Sequence, residues 1–269
     1  MTCATYTVEG IDLDRWDLLL GTTYRLPVAA VLQSVGIPGR HGHLPVGLPT
    51  FSAPPMVCQL APTRPDGSLA EFERMNDALA ALAGHPYPTM TRRVGEAVTQ
   101  AKVRLLNVSW DPSAIEHGHT ARATLTYEVP GVFWRDPAPT DVAVAAGTHS
   151  VTALAGTAPV SDAVVRFDPG ASSSRSLHDT TSDTGIQIDT AGVSGYAYVD
   201  LSTLAAWSSA SADAWNIPGS GRLDAAVSYP AAGPLQLWPK VTEAGGNLVR
   251  SVELLAHNPA TIRGRRAWW

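Results

Sequence analysis

The sequence has few charges, few cysteines and no long apolar run. Of its 269 residues only 16% are charged, and 24 acidic residues against 19 Lys and Arg residues give a formal net charge of −5. Dedicated binders of nucleic acid or of anionic membranes usually carry a basic footprint. The charge balance therefore argues against both classes. No segment approaches the roughly 18–20 apolar residues of a membrane-spanning helix, so we expect no membrane partner.

Cysteine is too scarce for a disulfide framework or a thiolate zinc centre, because Cys3 and Cys58 are the only two. We expect both to be reduced thiols. The first residues lack a basic start followed by an apolar core, which is the pattern of a secretory signal. These features predict a soluble product made in the cytoplasm.

Catalytic motifs are also missing. No G-x-S-x-G string occurs, and the nearest, Gly192–Gly195, lies between strand patterns where a tight turn explains it. The evenly spaced Gly36, Gly39 and Gly42 lack the Lys-Ser/Thr pair of a phosphate-binding loop. We therefore expect no enzyme, no catalytic residue and no cofactor.

Two H-x-H pairs, His41–His43 and His117–His119, are the only pattern typical of metal ligands. In an extended segment residues i and i+2 project to the same side, so each pair could offer two nitrogens to zinc or copper. The glycine in the middle of each pair favours a turn instead. We interpret both as solvated loops and predict no metal site, while whether the pairs meet in space stays open.

One helix is predicted over Ser68–Ala83. Ser68 and Glu71 have the spacing of a capping box, and Gly84 and Pro86 are placed to end the helix. Apolar residues recur every three or four positions and form one stripe: Leu69, Phe72, Met75, Leu79 and Leu82.

Most of the remaining chain has strand patterns. Thr120–Val129 alternates apolar and polar residues, and Lys102–Trp110 is its predicted antiparallel partner. Thr5–Val8 and Met56–Leu60 are predicted short strands. Gly36–Thr50 contains Gly and Pro too often, and we expect no regular structure there.

A proline-rich stretch near residue 135 predicts a boundary between two domains, residues 1–135 and 136–269. Short apolar runs then recur at the spacing of a β-sandwich. Asp168–Thr184 is rich in Ser and Thr and is predicted to be a surface loop. The predicted runs are Val142–Ala145, Val151–Leu154, Ala163–Phe167, Gly185–Ile188, Gly195–Leu201, Leu223–Ser228, Leu235–Trp238 and Val249–Ala256.

Three tryptophans of the second domain are candidates for saccharide contact: Trp207, Trp215 and Trp238. Exposed indole rings can stack on sugar faces, whereas core or rim packing is the alternative for at least two of them. The sequence therefore predicts a mainly β protein with one flanking helix and a possible binding surface in its second half.

The order of these features resembles the distal tail protein (Dit) of long-tailed phages, also called minor tail protein in actinobacterial phages. The resemblance spans nearly the whole chain and is strongest before about residue 135. It is carried by Asp17–Leu20, Gly36–Gly42, the helix of residues 68–83, Val129–Trp134, Gly156–Pro159, Ala197–Asp200 and Leu235–Pro239.

The resemblance implies a homo-hexameric ring at the tail tip of the virion. An N-terminal split-barrel-like β domain would close the ring, dock on the tail tube and receive the tail-associated hub protein. DNA would be present only in transit. The second domain would be a sandwich like that of galectins or carbohydrate-binding modules. It would carry receptor-binding proteins or contact host saccharide.

Two hypotheses follow. The first is a structural adaptor between tail tube and tail tip, made in the cytoplasm of the bacterial host. The alternative is a host-glycan or receptor-binding module that acts through the C-terminal sandwich and the three tryptophans. An enzyme of the cell envelope is disfavoured, because the sequence contains no paired nucleophile and base.

Overall fold

A computed structural model describes residues 4–16, 18–19, 21–23, 26–36, 43–61, 69–111, 122–170, 172–218 and 221–269. The chain forms two compact units, the first of residues 1–31, 49–137 and 269, the second of residues 32–48 and 138–268. The protein is mainly β with one α-helix among the described residues, so the predicted fold class is confirmed. The assignment of separate roles to residues 1–135 and 136–269 stays a prediction.

The first half of the chain contains ten strands and a helix within the described ranges. They are β1 (Thr5–Val8), β2 (Ile11–Asp12), β3 (Ala29–Gly36), β4 (His43–Ser52), β5 (Met56–Leu60), α1 (Leu69–Ala83), β6 (Thr89–Val94), β7 (Ala97–Lys102), β8 (Arg104–Asp111), β9 (Arg122–Glu128) and β10 (Trp134–Arg135). A short 3-10 helix at Asp14–Trp16 follows β2.

Helix α1 begins within a residue of its predicted start and ends where predicted. Met75, Leu79 and Leu82 of its apolar stripe are buried, and the helix packs against β8. Ser68 lies outside the described residues. The helix is 15 residues long, and no described helix is long and apolar enough to cross a membrane.

Strands β5, β9 and β8 form one antiparallel sheet in that order, which confirms the predicted pairing of the two long strands. Their alternation buries Leu125 and Tyr127 on one face. Cys58 on β5 is a buried free thiol, and burial raises its pKa to about 12, so it is an inert core residue. A second antiparallel sheet runs β2-β1-β6-β7-β10.

The prediction of irregular structure over Gly36–Thr50 is wrong for its described part. Strand β4 spans His43–Ser52 and pairs with β3 in a two-stranded sheet, which we call the arm. Pro45 and Pro49 lie within β4. Proline cannot donate to a ladder but is tolerated where a strand has a neighbour on one side only, so their presence does not exclude a strand here.

The described residues of the second half form twelve further strands. They are β11 (Thr140–Val144), β12 (Gly147–Val151), β13 (Val164–Phe167), β14 (Ser174–Asp179), β15 (Thr184–Asp189), β16 (Tyr196–Asp200), β17 (Ala205–Ser209), β18 (Val227–Ser228), β19 (Lys240–Ala244), β20 (Asn247–Ala256), β21 (Ala260–Gly264) and β22 (Ala267–Trp268). A 3-10 helix at Asp224–Ala226 precedes β18.

Eleven of these strands, all but β22, build a β-sandwich of two antiparallel sheets. Sheet I runs β11-β21-β13-β16-β17, and sheet II runs β12-β20-β14-β15-β18, with β19 paired to the outer half of β20. Each sheet turns one apolar face inward. Val165, Phe167 and Ile262 of sheet I and Ile188 and Leu254 of sheet II are fully buried.

The predicted loop over Asp168–Thr184 is wrong, because it contains β14, which pairs with both β15 and β20. The inward positions of β14 are Arg175, Leu177 and Asp179, so charged residues occupy two of three buried sites. The sequence of β14 therefore shows no alternation of apolar and polar residues. The runs Val151–Leu154 and Leu235–Trp238 are not strands over their predicted length.

Candidate functional site

The two strands of the arm expose aliphatic side chains. They contain no Asp, Glu, Lys or Arg, and Val31, Leu32, Val35 and Val46 are 50%, 57%, 55% and 46% exposed. Side chains alternate across a strand, so Val31 and Val35 project from one face and Leu32 from the other. A hairpin of two strands is marginally stable by itself in water, and both faces of this one lack a described apolar cover.

At the base of the arm, Phe51 contacts two further aromatic rings of the first unit. Ring centroids are 5.4 Å apart for Phe51 and Phe133 and 4.9 Å for Phe51 and Trp269, all edge-on. Beside them a cavity of about 360 Å³ is lined by Leu26, Val28, Ala30, Phe51 and Trp269. The chain thus has exposed aliphatic side chains on the arm and an apolar recess in the first unit.

Trp207 is a core residue and offers no ring face to a ligand, which corrects its sequence-based assignment. Its side chain is 0% exposed and stacks on Tyr198 with centroids 5.3 Å apart. The indole Nε1 donates to the carbonyl of Ala214 at 2.9 Å. The ring is buried because residues after β17 fold back over the outer face of sheet I.

Trp215 is one of the residues after β17 that cover sheet I. Its half-buried ring contacts two arginines of that sheet. The guanidinium of Arg263 is 4.1 Å from the indole centroid and that of Arg166 is 5.3 Å away. Tyr198 meets the same ring edge-on at 5.5 Å. The contacts are intramolecular cation–π and aromatic interactions, so much of the indole is already occupied.

Hydrogen bonds fasten residues 211–214 to the same sheet. The Tyr198 hydroxyl donates to the carbonyl of Ser211 at 2.7 Å, and Arg166 donates to the carbonyl of Ala212 at 2.7 Å. Arg166 also donates to Thr261 at 2.8 Å. Together with Trp215, these bonds close the outer face of sheet I. We call this covered region the aromatic–arginine cluster.

An ion pair completes the aromatic–arginine cluster. Arg263 donates from Nε to one oxygen of Asp141 at 2.6 Å and from a terminal nitrogen to the other. This hydrogen bonding lowers the pKa of Asp141 below its ordinary value. Since both side chains are partly exposed, the pair orients the guanidinium for Trp215 more than it stabilises the fold.

Trp238 is held by hydrogen bonds from both its backbone and its indole ring. Its N–H donates to Asp179 at 2.9 Å, and Asp179 also accepts bonds from the N–H groups of Thr181 and Ser182. Burial raises the pKa of Asp179 despite these bonds. The half-buried indole donates to Gln236 at 3.1 Å. Saccharide contact at Trp215 or Trp238 stays a prediction.

The histidine pairs fall outside the described residues, apart from the backbone of His43. Across the ranges that the structure describes, no three His, Cys, Asp or Glu side chains gather as a metal site would require.

The structure brings Trp207 and Trp215 together through Tyr198 and places Trp238 apart from them, beside β14.

Sequence reasoning missed the aliphatic residues of the arm and the outward residues of β14. The only signal for the arm was a run of 8 residues without charge, Ala29–Gly36, ahead of the proline-containing segment. On β14 the outward side chains Ser176 and His178 are polar, as expected for an exposed strand face. The inward side chains include the charged Arg175 and Asp179, so the sequence lacks the usual alternation of polar and apolar residues.

No protein-family model matches the chain, and no curated protein matches it in sequence. The whole chain has a fold found in phage tail proteins. It is similar to the Dit protein of SPP1, described as a paradigm of the hub adsorption apparatus in phages that infect Gram-positive bacteria. The TM-score is 0.60 at 14% identity, over 99% of each chain. This similarity confirms the resemblance to Dit at the level of fold.

Two baseplate structures of phage P2, both in the activated conformation, are similar over 98% of each chain. The one with Ca has a TM-score of 0.44 at 12% identity, and the one with Sr has 0.46 at 10%.

Proposed function

We propose that this chain is a structural protein of a bacteriophage tail, with no catalytic role. Its copies form a ring that joins the tail tube to the hub of the tail tip in the virion. The observation that carries the proposal is the fold similarity to the SPP1 Dit protein over 99% of both chains.

The ring is homo-hexameric, as in the family that the sequence resembles. The tail tube and the hub protein are its axial neighbours, and DNA passes through its centre. A net charge of −5 suits a channel wall, because an acidic surface does not retain the phosphate backbone.

The exposed aliphatic residues of the arm support self-association. A head-to-tail contact forms when an apolar segment of one copy enters an apolar recess of the next. Such a contact forms a closed ring when its rotation closes. Val35 on the arm and the cavity beside Phe51 are the two sides of this contact.

The test is to measure the mass of the purified full-length protein by light scattering and to image it by negative-stain electron microscopy. We expect six-fold rings with a central hole. Val35→Asp, which puts a charge on the arm, should shift the population to monomers. Val241→Asp is the matched control, because Val241 is also 55% exposed but lies on β19.

A monomer at every concentration, with or without a purified tail-tube protein, would overturn the ring. Rings that persist unchanged in Val35→Asp would retain the ring but reject the arm as its contact.

A further inference from the structure

The turn that leads into β10 has a strained backbone at Val132. The φ angle of Val132 is 61°, in the left-handed region that a β-branched residue rarely adopts. The N–H of Phe133 donates to the carbonyl of Gly131 at 2.6 Å, and the N–H of Val132 donates to the carbonyl of Val129 at 2.9 Å. The first of these bonds closes a three-residue turn, and such a turn with a positive central φ is rare and strained. Other contacts must therefore hold Val132 in this conformation.

Two buried aromatic residues directly after Val132 supply these contacts. Phe133 is 9% exposed, and its ring centroid is 5.4 Å from that of Phe51 and 4.9 Å from that of Trp269. Trp134 is 4% exposed, and all of these residues belong to the first unit. Burial of a large aromatic side chain outweighs the strain of one left-handed residue, so the two rings keep the turn in place.

We propose that residues 129–133 form a strained latch. The latch is closed while the Phe133 ring packs against Phe51 and Trp269, and the strain at Val132 favours its opening when that ring leaves. Phe51 and Trp269 also line the recess of about 360 Å³, so the closed latch supports two walls of the recess and an open latch enlarges it. The latch belongs to the first unit alone and does not rest on the proposed ring.

Substitutions at position 132 test the strain. Glycine and asparagine adopt the left-handed region readily, whereas alanine has the Cβ that makes it unfavourable. Hydrogen–deuterium exchange of the full-length protein, followed by mass spectrometry, measures the protection of the peptide that contains Phe133. That amide is bonded inside the turn, so it exchanges when the latch opens. Because the strain opposes closure, we expect about fivefold higher protection in Val132→Gly and Val132→Asn and no gain in Val132→Ala.

Val98→Gly is the matched control for these substitutions. Val98 is half-buried like Val132 but lies in strand β7, where its φ is not positive. Glycine in a strand loses conformational freedom without relieving strain, so the protection of β7 should fall.

Phe133→Ala tests the link between the aromatic ring and the strain. Without the ring the turn opens and Val132 relaxes, so adding Val132→Gly should no longer raise the protection of the turn. Leu204→Gly is the matched control for this pair. Leu204 also has a positive φ, 59°, but it lies between β16 and β17 in the second unit. Its gain should be the same with and without Phe133→Ala, because independent sites are additive.

Circular dichroism checks that each variant is folded. If Phe133→Ala fails to fold, Phe51→Ala replaces it, because this change removes one contact of the Phe133 ring and leaves the ring itself. Protection that is unchanged or lower in both Val132→Gly and Val132→Asn would overturn the strain. An equal gain in Val132→Ala would do the same, because the valine methyl groups would then be the cause. A gain from Val132→Gly that persists in the Phe133→Ala or Phe51→Ala background would overturn the latch.

Discussion

The two outer faces of the β-sandwich differ in what their polar and aromatic side chains bind. On sheet I, Trp215, Arg166 and Arg263 bind one another and hold the residues after β17 against the strands. On sheet II, Ser176 and Gln187 face an open groove. On sheet I the large aromatic and cationic residues stabilise the fold, whereas Ser176 and Gln187 on sheet II have no hydrogen-bond partner for their side chains among the described residues.

Among these variants, Trp207→Ala should lower the free energy of unfolding the most. The indole is fully buried and stacked on Tyr198, and truncation of a buried aromatic residue costs about 4 kcal/mol. Urea unfolding followed by circular dichroism measures the loss. Tyr229→Ala, at the rim of the groove, is the control and should cost less than about 1 kcal/mol. Similar losses in both variants would remove the distinction between a closed face and an open one.

Trp215→Ala should cost about 2 kcal/mol, because the ring is half-buried and its cation–π contacts are lost. The effect should be local. Hydrogen exchange at residues 211–214 should accelerate, whereas exchange across β14 and β15 should not change. Acceleration throughout both sheets would show that Trp215 supports the whole sandwich and not only the cover on sheet I.

The sequence predicted elements whose buried side was apolar. Helix α1 and strands β5 and β9 alternate apolar and polar residues with the periods of helix and strand, and the structure confirms them. Strand β14 was not predicted, because Arg175 and Asp179 occupy inward positions and a hydrophobicity pattern does not reveal buried charged residues. Burial of charged groups is decided by tertiary partners such as the N–H of Trp238.

The groove on the outer face of sheet II was less predictable than the fold, for a geometric reason. The groove combines Ser176 and His178 of β14 with Gln187 of β15 and Tyr229 after β18. These residues meet only when the strand register is known, and a shift of one residue would turn each to the opposite face. Tryptophan is conspicuous in a sequence, but whether its ring is free depends on the segment that covers it.

Asp141→Asn should have a smaller, pH-dependent effect on sheet I. The folded-state pKa of Asp141 is lowered by its hydrogen bond to Arg263. The pair therefore adds stability above the unfolded-state pKa, and this contribution is lost as pH falls through the folded-state pKa. Because both side chains are partly exposed, the contribution is within about 1 kcal/mol.

Melting temperatures measured near pH 7 and below about pH 3 check this prediction. The variant should be less stable than the parent at neutral pH and should match it in acid. A deficit that persists in acid would show that the carboxylate acts by packing and not by charge. Salt should reduce the difference at neutral pH, as expected for a partly exposed pair.

Gln187→Ala should have the smallest effect on stability, within about 0.5 kcal/mol, because the side chain is exposed and makes no hydrogen bond in the described structure. Urea unfolding followed by circular dichroism measures the loss. A destabilised Gln187→Ala would mean that the groove is part of the framework, as the aromatic–arginine cluster is, and the contrast between the two faces would be lost.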